Sequence, residues 1–204
     1  MMLYGFITGV LIFLTPFIFP SLFIVGIVTQ KLAVNSKLYW INSVLIILSA
    51  SLIFFTFNLI GVNLTFSENY SDSISVFNSW ALLLFIFLSI YLIGSYDLNT
   101  KVKMILGVVV SLTLGIKLAL NILVASGPFL GSFMAGGSEG LNEIVDFMNG
   151  ETIAITLVLI VLLLVSRFIA NKLKDKLWTK NAPKLVGVYL LFIQFMVIIK
   201  AINA

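Results

Sequence analysis

Residues 102–133 read VKMILGVVVSLTLGIKLALNILVASGPFLGSF, a stretch with two lysines and no acid. A helix rises 1.5 Å per residue, so about 20 apolar residues cross a hydrocarbon core about 30 Å thick. This run is long enough to do so with turns to spare. Reading outward from it gives five more: Leu3–Val28, Leu38–Val62, Val76–Tyr96, Thr152–Ile169 and Leu185–Ile202. Little chain remains for a soluble domain. Composition agrees, with 61% hydrophobic and 10% charged residues, against about 45–50% and about 25% in soluble chains. The expectation is an all-α integral membrane protein with six transmembrane helices, forming a single membrane domain over 1–204. The first run is too long for a signal-peptide core and has no basic residue ahead of it, so it reads as a retained span.

The chain has no cysteine and no histidine. That removes disulfides, Cys or His metal sites, His-ligated haem and nucleophiles that depend on Cys or His. No metal, cofactor or enzymatic activity is expected. The net charge of +4 is loop asymmetry: Lys172, Lys174, Lys176, Lys180 and Lys184 cluster in one segment, Glu139, Glu143, Asp146 and Glu151 in another. Without a basic face carrying aromatic residues, no nucleic-acid partner is expected.

Lys and Arg in short loops mark the cytoplasmic side. The loops at Lys31 and Lys37, at Lys101 and Lys103, and at Lys172 are basic, whereas the second and fourth connections carry only acids. The basic loops should be cytoplasmic and both termini outside, in a bacterial inner (cytoplasmic) membrane. Tyr39, Trp40, Trp80, Tyr96, Trp178 and Tyr189 lie near span ends and read as an interfacial aromatic belt.

Six spans divide into 1–100 and 101–204. Three spans per set invert the second set relative to the first, an arrangement that places transporter sites where broken helices meet. Matching interruptions are present. Thr15, Pro16, Phe17 and Pro20 lie in the first span of the first half, and Ala125, Ser126, Gly127, Pro128 and Gly131 in the first span of the second. Each proline removes a backbone donor and disturbs the preceding turn. The expectation is a Pro/Gly-broken first helix in each repeat.

These residues carry a resemblance. Gly5-Phe6-Ile7-Thr8-Gly9 followed by Leu14-Thr15-Pro16-Phe17-Ile18-Phe19-Pro20 resembles the first helix of the DsbD/CcdA membrane electron carriers, which read Thr/Ser-Pro-Cys-x-x-Pro there. Ala125-Ser126-Gly127-Pro128-Phe129-Leu130-Gly131 is similar to their Cys-x-Gly-Pro-x-x-Gly. The resemblance implies six spans, inverted triplets and outward termini, within a wider LysE-like superfamily. Family members relay electrons through paired cysteines, from cytoplasmic thioredoxin to outward-facing thiol proteins. Here those positions are Phe17 and Ala125, and thiol exchange needs sulfur. The motif residues that remain are left with structural roles.

Four readings follow. The foremost is a redox-inactive partner-binding subunit or scaffold of a membrane or envelope protein complex. The second is a transporter of a small solute or ion, with a mid-membrane site at the helix breaks. The third is electron transfer through a partner's cysteines, and the fourth, an intramembrane enzyme, lacks an acid pair or a nucleophile-base constellation in the spans. Lys117, the one basic residue well inside a span, is the leading polar candidate, because an ionisable group in hydrocarbon is costly. Asn121 lies one turn further on the same face, and Asn58 and Gln194 come from other spans. Against a site at Lys117 stands snorkelling of its ammonium to the cytoplasmic interface. The connection from Ala135 to Glu151 carries Leu141, Ile144, Val145 and Met148 at helical spacing beside its four acids. It reads as an outer amphipathic docking helix, a lid or a solvated acidic connector.

Overall fold

The computed structural model describes the backbone of residues 1–13, 19–60, 68–94, 97–134, 137–172 and 177–202. It describes the side chains of residues 1–13, 24–54, 56, 76–94, 97–122, 143–172 and 181–199. Among the described residues the regular structure is entirely helical: α1 Met2–Phe13, α2 Phe19–Leu32, α3 Ser36–Ile60, α4 Glu68–Gly94, α5 Thr100–Met134, α6 Gly137–Lys172 and α7 Leu177–Ile202.

Five helices contain segments long and apolar enough to cross a bilayer: Ser36–Phe54, Val76–Gly94, Thr100–Ile122, Glu143–Lys172 and Asn181–Ile199. Their outward faces carry Leu48, Leu83, Phe87, Val161, Phe192 and Phe195, all more than half exposed. Such a surface would drive association in water and is at rest in lipid. This is the build of an integral membrane protein.

The first apolar run, expected as one span, is two shorter helices, α1 and α2, neither long enough to cross alone. Thr15, Pro16 and Phe17 fall between them, outside the described residues. Pro20 is the second residue of α2, within the first turn, where a missing N–H leaves no intrahelical bond unmade. The matching interruption expected in the second half is absent at the level of the helix. α5 runs from Thr100 to Met134 and takes Ala125, Ser126, Gly127, Pro128 and Gly131 within it. A backbone in lipid has no water to turn to, so neighbouring turns absorb a proline more readily than in solution.

Two further boundaries differ. The acidic connection is the start of α6, not a separate interfacial helix, because its apolar spacing runs in phase with the span that follows. Ile144, Phe147 and Met148 are buried there, while Glu143 and Asp146 are exposed. α7 begins at Leu177, with Pro183 in its early turns, so Lys180 and Lys184 belong to the helix and not to the loop.

Close helix contacts are made where side chains are small. α1 packs on α6 through Gly5, Gly9 and Gly150: a Cβ at Gly5 would overlap the Phe147 carbonyl, and one at Gly150 the Met2 carbonyl. Gly5 and Gly9 are spaced as a GxxxG pair, which lets backbones approach and gain dispersion where no hydrophobic drive exists between helices. α5 packs on α3 in the same way. A Cβ on Gly107 would lie 2.8 Å from Asn42 Nδ2, and one on Gly115 would overlap Ser49 Oγ and the Ile46 carbonyl. α7 packs on α4, where a Cβ on Gly187 would lie 2.9 Å from the Ser89 carbonyl oxygen.

These registers fix direction. Gly5 and Gly9 meet Phe147 and Ala154, so α1 and α6 run parallel; Gly107 and Gly115 meet Asn42 and Ser49, so α3 and α5 run parallel. α2 and α5 contribute to both buried clusters. Val25 and Leu118 belong to the cluster with α3 and α6, Ile24 and Leu114 to the cluster with α4 and α7. The centre of the bundle is therefore the α2/α5 pair, flanked by α3/α6 on one side and α4/α7 on the other.

The bundle is polar in charge. Lys31, Lys37, Lys103, Arg167 and Lys172 gather at the end where α2, α4 and α6 finish, and Glu143 and Asp146 lie toward the other. At the basic end the Tyr39 hydroxyl, wholly buried, donates to the Leu163 carbonyl at 2.5 Å. The Arg167 guanidinium stands 5.0 Å from the Tyr39 ring centroid and donates to Gln30 Oε1 at 3.2 Å. Tyr39 is thus a clasp between α3 and α6 and not a member of the interfacial belt. Trp40, Trp80 and Tyr189 are exposed, whereas the side chains of Tyr96 and Trp178 lie outside the described residues.

Candidate functional site

A cavity of about 280 Å³ opens between α2, α4, α5 and α7. Its walls are apolar, with Ile24, Val25, Phe85, Leu114 and Leu190 among them, and four polar side chains reach it: Asn78, Lys117, Asn121 and Gln194. Three of these were singled out in the sequence as polar residues inside apolar runs. The fourth of that group, Asn58, lies in the last turns of α3 with its side chain outside the described residues.

Each polar group reaches the cavity because of where its helix carries it. Lys117 and Asn121 are one turn apart on α5 and share a face. Gln194, buried on α7, faces them. Asn78 is two residues into the apolar segment of α4, a position that reads as interfacial when only the sequence is considered. α4 and α7 run antiparallel, with Ser89 at Gly187 and Asn78 at the level of Gln194, which brings Asn78 over Lys117.

The Lys117 ammonium donates to Asn78 Oδ1 at 2.5 Å. It runs to α4 and not back along α5 toward the basic end, as snorkelling to that end would require. Lys117 stands about 21 Å along the α5 axis from Lys103, at 1.5 Å per residue, which is beyond the middle of a core about 30 Å thick. A lysine stem is too short to return its charge over that distance, so the charge is held locally by an amide oxygen. None of the described lining residues is acidic. The ion pair among the described residues is elsewhere, between Lys103 Nζ and Asp97 Oδ1 at 2.7 Å.

The acids expected on an outer docking surface divide. Glu143 and Asp146 are exposed on α6, and the Glu139 side chain lies outside the described residues. Glu151 is wholly buried, with its backbone against Gly9 of α1. It cannot form part of a docking surface: the helix turns it inward, three residues after Met148 on the same buried face. The motif residues Thr15, Pro16, Phe17 and Pro20, and those from Ala125 to Gly131, are not among the cavity's described lining. Their side chains lie outside the described residues.

A cavity with apolar walls and a few convergent polar groups is the usual form of a small-molecule site. At about 280 Å³ this one is just under the usual lower bound of roughly 300 Å³. It suits a compact solute. Comparison of the chain with family models, with curated proteins and with solved structures finds no match.

Proposed function

We propose that this chain is a carrier for a small solute, working at the cavity around Lys117, and that it performs no chemical transformation. The observation that carries this reading is the convergence of Asn78, Lys117, Asn121 and Gln194 on one cavity inside the membrane-crossing part of the bundle. A scaffold would be served by a dry, close-packed centre, and holding a half-buried lysine and a buried glutamine within an apolar bundle is costly without a purpose for them.

The packing pattern supports an inverted-repeat carrier. Taking α1 and α2 together as the first span, a two-fold exchange of 1–100 with 101–204 maps the α1/α6 pair onto α5/α3. It maps α4/α7 and α3/α6 onto themselves, and these four pairs are among the main contacts of the fold. The cavity is lined by α2 and α5, which exchange, and by α4 and α7, which exchange. It therefore lies between the halves, where carriers of this design place their sites. The DsbD/CcdA-like and LysE-like resemblance fits the same six-span arrangement. The gathering of Lys31, Lys37, Lys103, Arg167 and Lys172 at one end supports cytoplasmic basic loops and outward termini in a bacterial inner membrane.

The test is transport by the purified chain in proteoliposomes, with concentration jumps of small organic anions, cations and neutral solutes. A protein-dependent flux that Lys117→Gln removes supports the carrier. If no solute moves and the chain leaves its native membrane in a stoichiometric protein complex, the subunit reading replaces it.

A further inference from the structure

We infer that the Lys117 cavity takes a small organic monoanion with an apolar body, in the manner of a short branched or aromatic monocarboxylate. This deepens the carrier reading and rests on it for the claim that the solute crosses. The cavity combines four side chains able to donate hydrogen bonds with an otherwise apolar lining. Lys117 offers three N–H donors and no acceptor. Asn78 has its side-chain oxygen engaged by Lys117, so donors are what it has left to give. Asn121 and Gln194 add amide groups that can donate or accept.

Charge balance then selects the ligand. No described lining residue is acidic, so an organic cation would face Lys117 with nothing to offset either charge. A neutral ligand leaves the ammonium as it was. A dianion brings a second negative charge into a low-dielectric site that has one cation to meet it, and the remainder carries the full desolvation cost. A single carboxylate closes the balance, and its oxygens accept from the ammonium and the amides together. The rest of the ligand meets Ile24, Val25, Leu82, Phe85, Ile193 and Val197, which return free energy only for apolar surface. The volume limits that body to a few carbons or one ring.

The test uses the full-length chain in detergent and three probes of one shape: 3-methylbutanoate, 3-methylbutanamide and 3-methylbutylammonium. Equilibrium dialysis should show saturable binding of the carboxylate, with the amide about thirtyfold weaker or worse and the ammonium excluded, the size of effect expected when one partner of a desolvated charge pair is lost. Lys117→Gln, which keeps a donor for Asn78, should weaken carboxylate binding to a similar degree, and Lys117→Arg should restore most of it. Both variants are checked for a monodisperse elution profile, and the Arg variant serves as the folded control. Equal or tighter binding of the amide or the ammonium, binding by none of the three, or carboxylate binding unchanged in Lys117→Gln overturns the inference. Failures are separable: a Lys117-dependent carboxylate that binds without crossing proteoliposomes leaves the inference standing and removes the carrier. A protein-dependent flux of the ammonium alone does the reverse.

Discussion

The Lys117 ammonium donates a 2.5 Å hydrogen bond to the Asn78 side-chain oxygen, joining α5 to α4 between residues 39 apart in the chain. A hydrogen bond to a charged group contributes roughly 1.5–3 kcal/mol, and leaving a charge without its acceptor in a half-buried site costs at least as much. Asn78→Leu should therefore destabilise the fold by about 2 kcal/mol. Lys117→Met should recover part of that loss in the Asn78→Leu background. A double-mutant cycle on unfolding in mixed micelles measures the coupling; additivity of the two changes would show that the bond contributes nothing.

The α1/α6 seam predicts a steep size dependence. A side chain at Gly5 or Gly150 would enter the backbone of the facing helix, at Phe147 and Met2 respectively. Overpacking of a close contact costs roughly 1–3 kcal/mol. Gly5→Val and Gly150→Val should each lower the thermal midpoint in detergent, whereas Leu11→Val, on the exposed face of α1, should leave it unchanged. Tolerance of valine at both glycines would contradict the register.

At the basic end, Tyr39→Phe removes one buried hydrogen bond and leaves the Leu163 carbonyl unmatched. Interhelical bonds of this kind contribute about 0.6–2 kcal/mol in membranes. The loss should appear as faster unfolding in SDS, with solute binding at Lys117 intact, since Tyr39 belongs to α3 and none of the described side chains of α3 lines the cavity. A binding defect in Tyr39→Phe would mean that the two ends are coupled.

The Asp97 carboxyl, in the connection between α4 and α5, is held below its ordinary value of 3.8 by the hydrogen bond and charge of Lys103. A carboxylate with a depressed folded value contributes its stability above the unfolded value and loses it as pH falls through the folded one. Wild type and Asp97→Asn should therefore differ slightly at neutral pH and converge as the pH is taken well below 3.8. Asp97 is fully exposed, so the neutral-pH difference should shrink further with added salt. Parallel acid titrations of thermal stability check this, and a gap that persists in acid would contradict it.

Much of this architecture could be read from particular residues. The apolar runs appear as helices because the length needed to cross lipid is a one-dimensional property. Lys117, Asn121 and Gln194 were conspicuous because a polar side chain in such a run needs a reason. Asn78, Tyr39 and Glu151 were not, for one shared cause: each lies near a run's end, where a polar residue is ordinary. Whether it then faces headgroups or another helix depends on a partner distant in the chain, Lys117 for Asn78 and Leu163 for Tyr39. The continuity of α5 through Gly127 and Pro128 was hidden for a different reason. Proline's local penalty is known, but the absence of water as a competing partner is a property of the solvent and not of the residue.

The chain's lack of cysteine permits the most direct test of a solvated cavity. Single cysteines at Asn121 and Gln194, which line it, and at Leu112, on the exposed apolar face of α5, can each be treated with a charged, water-soluble methanethiosulfonate in native vesicles. The thiolate that reacts forms in water and not in hydrocarbon. Modification is expected at Asn121→Cys and Gln194→Cys, slowed by a bound monocarboxylate, and none at Leu112→Cys. Silence at both cavity positions, with the protein folded and inserted, would contradict a solute site at Lys117.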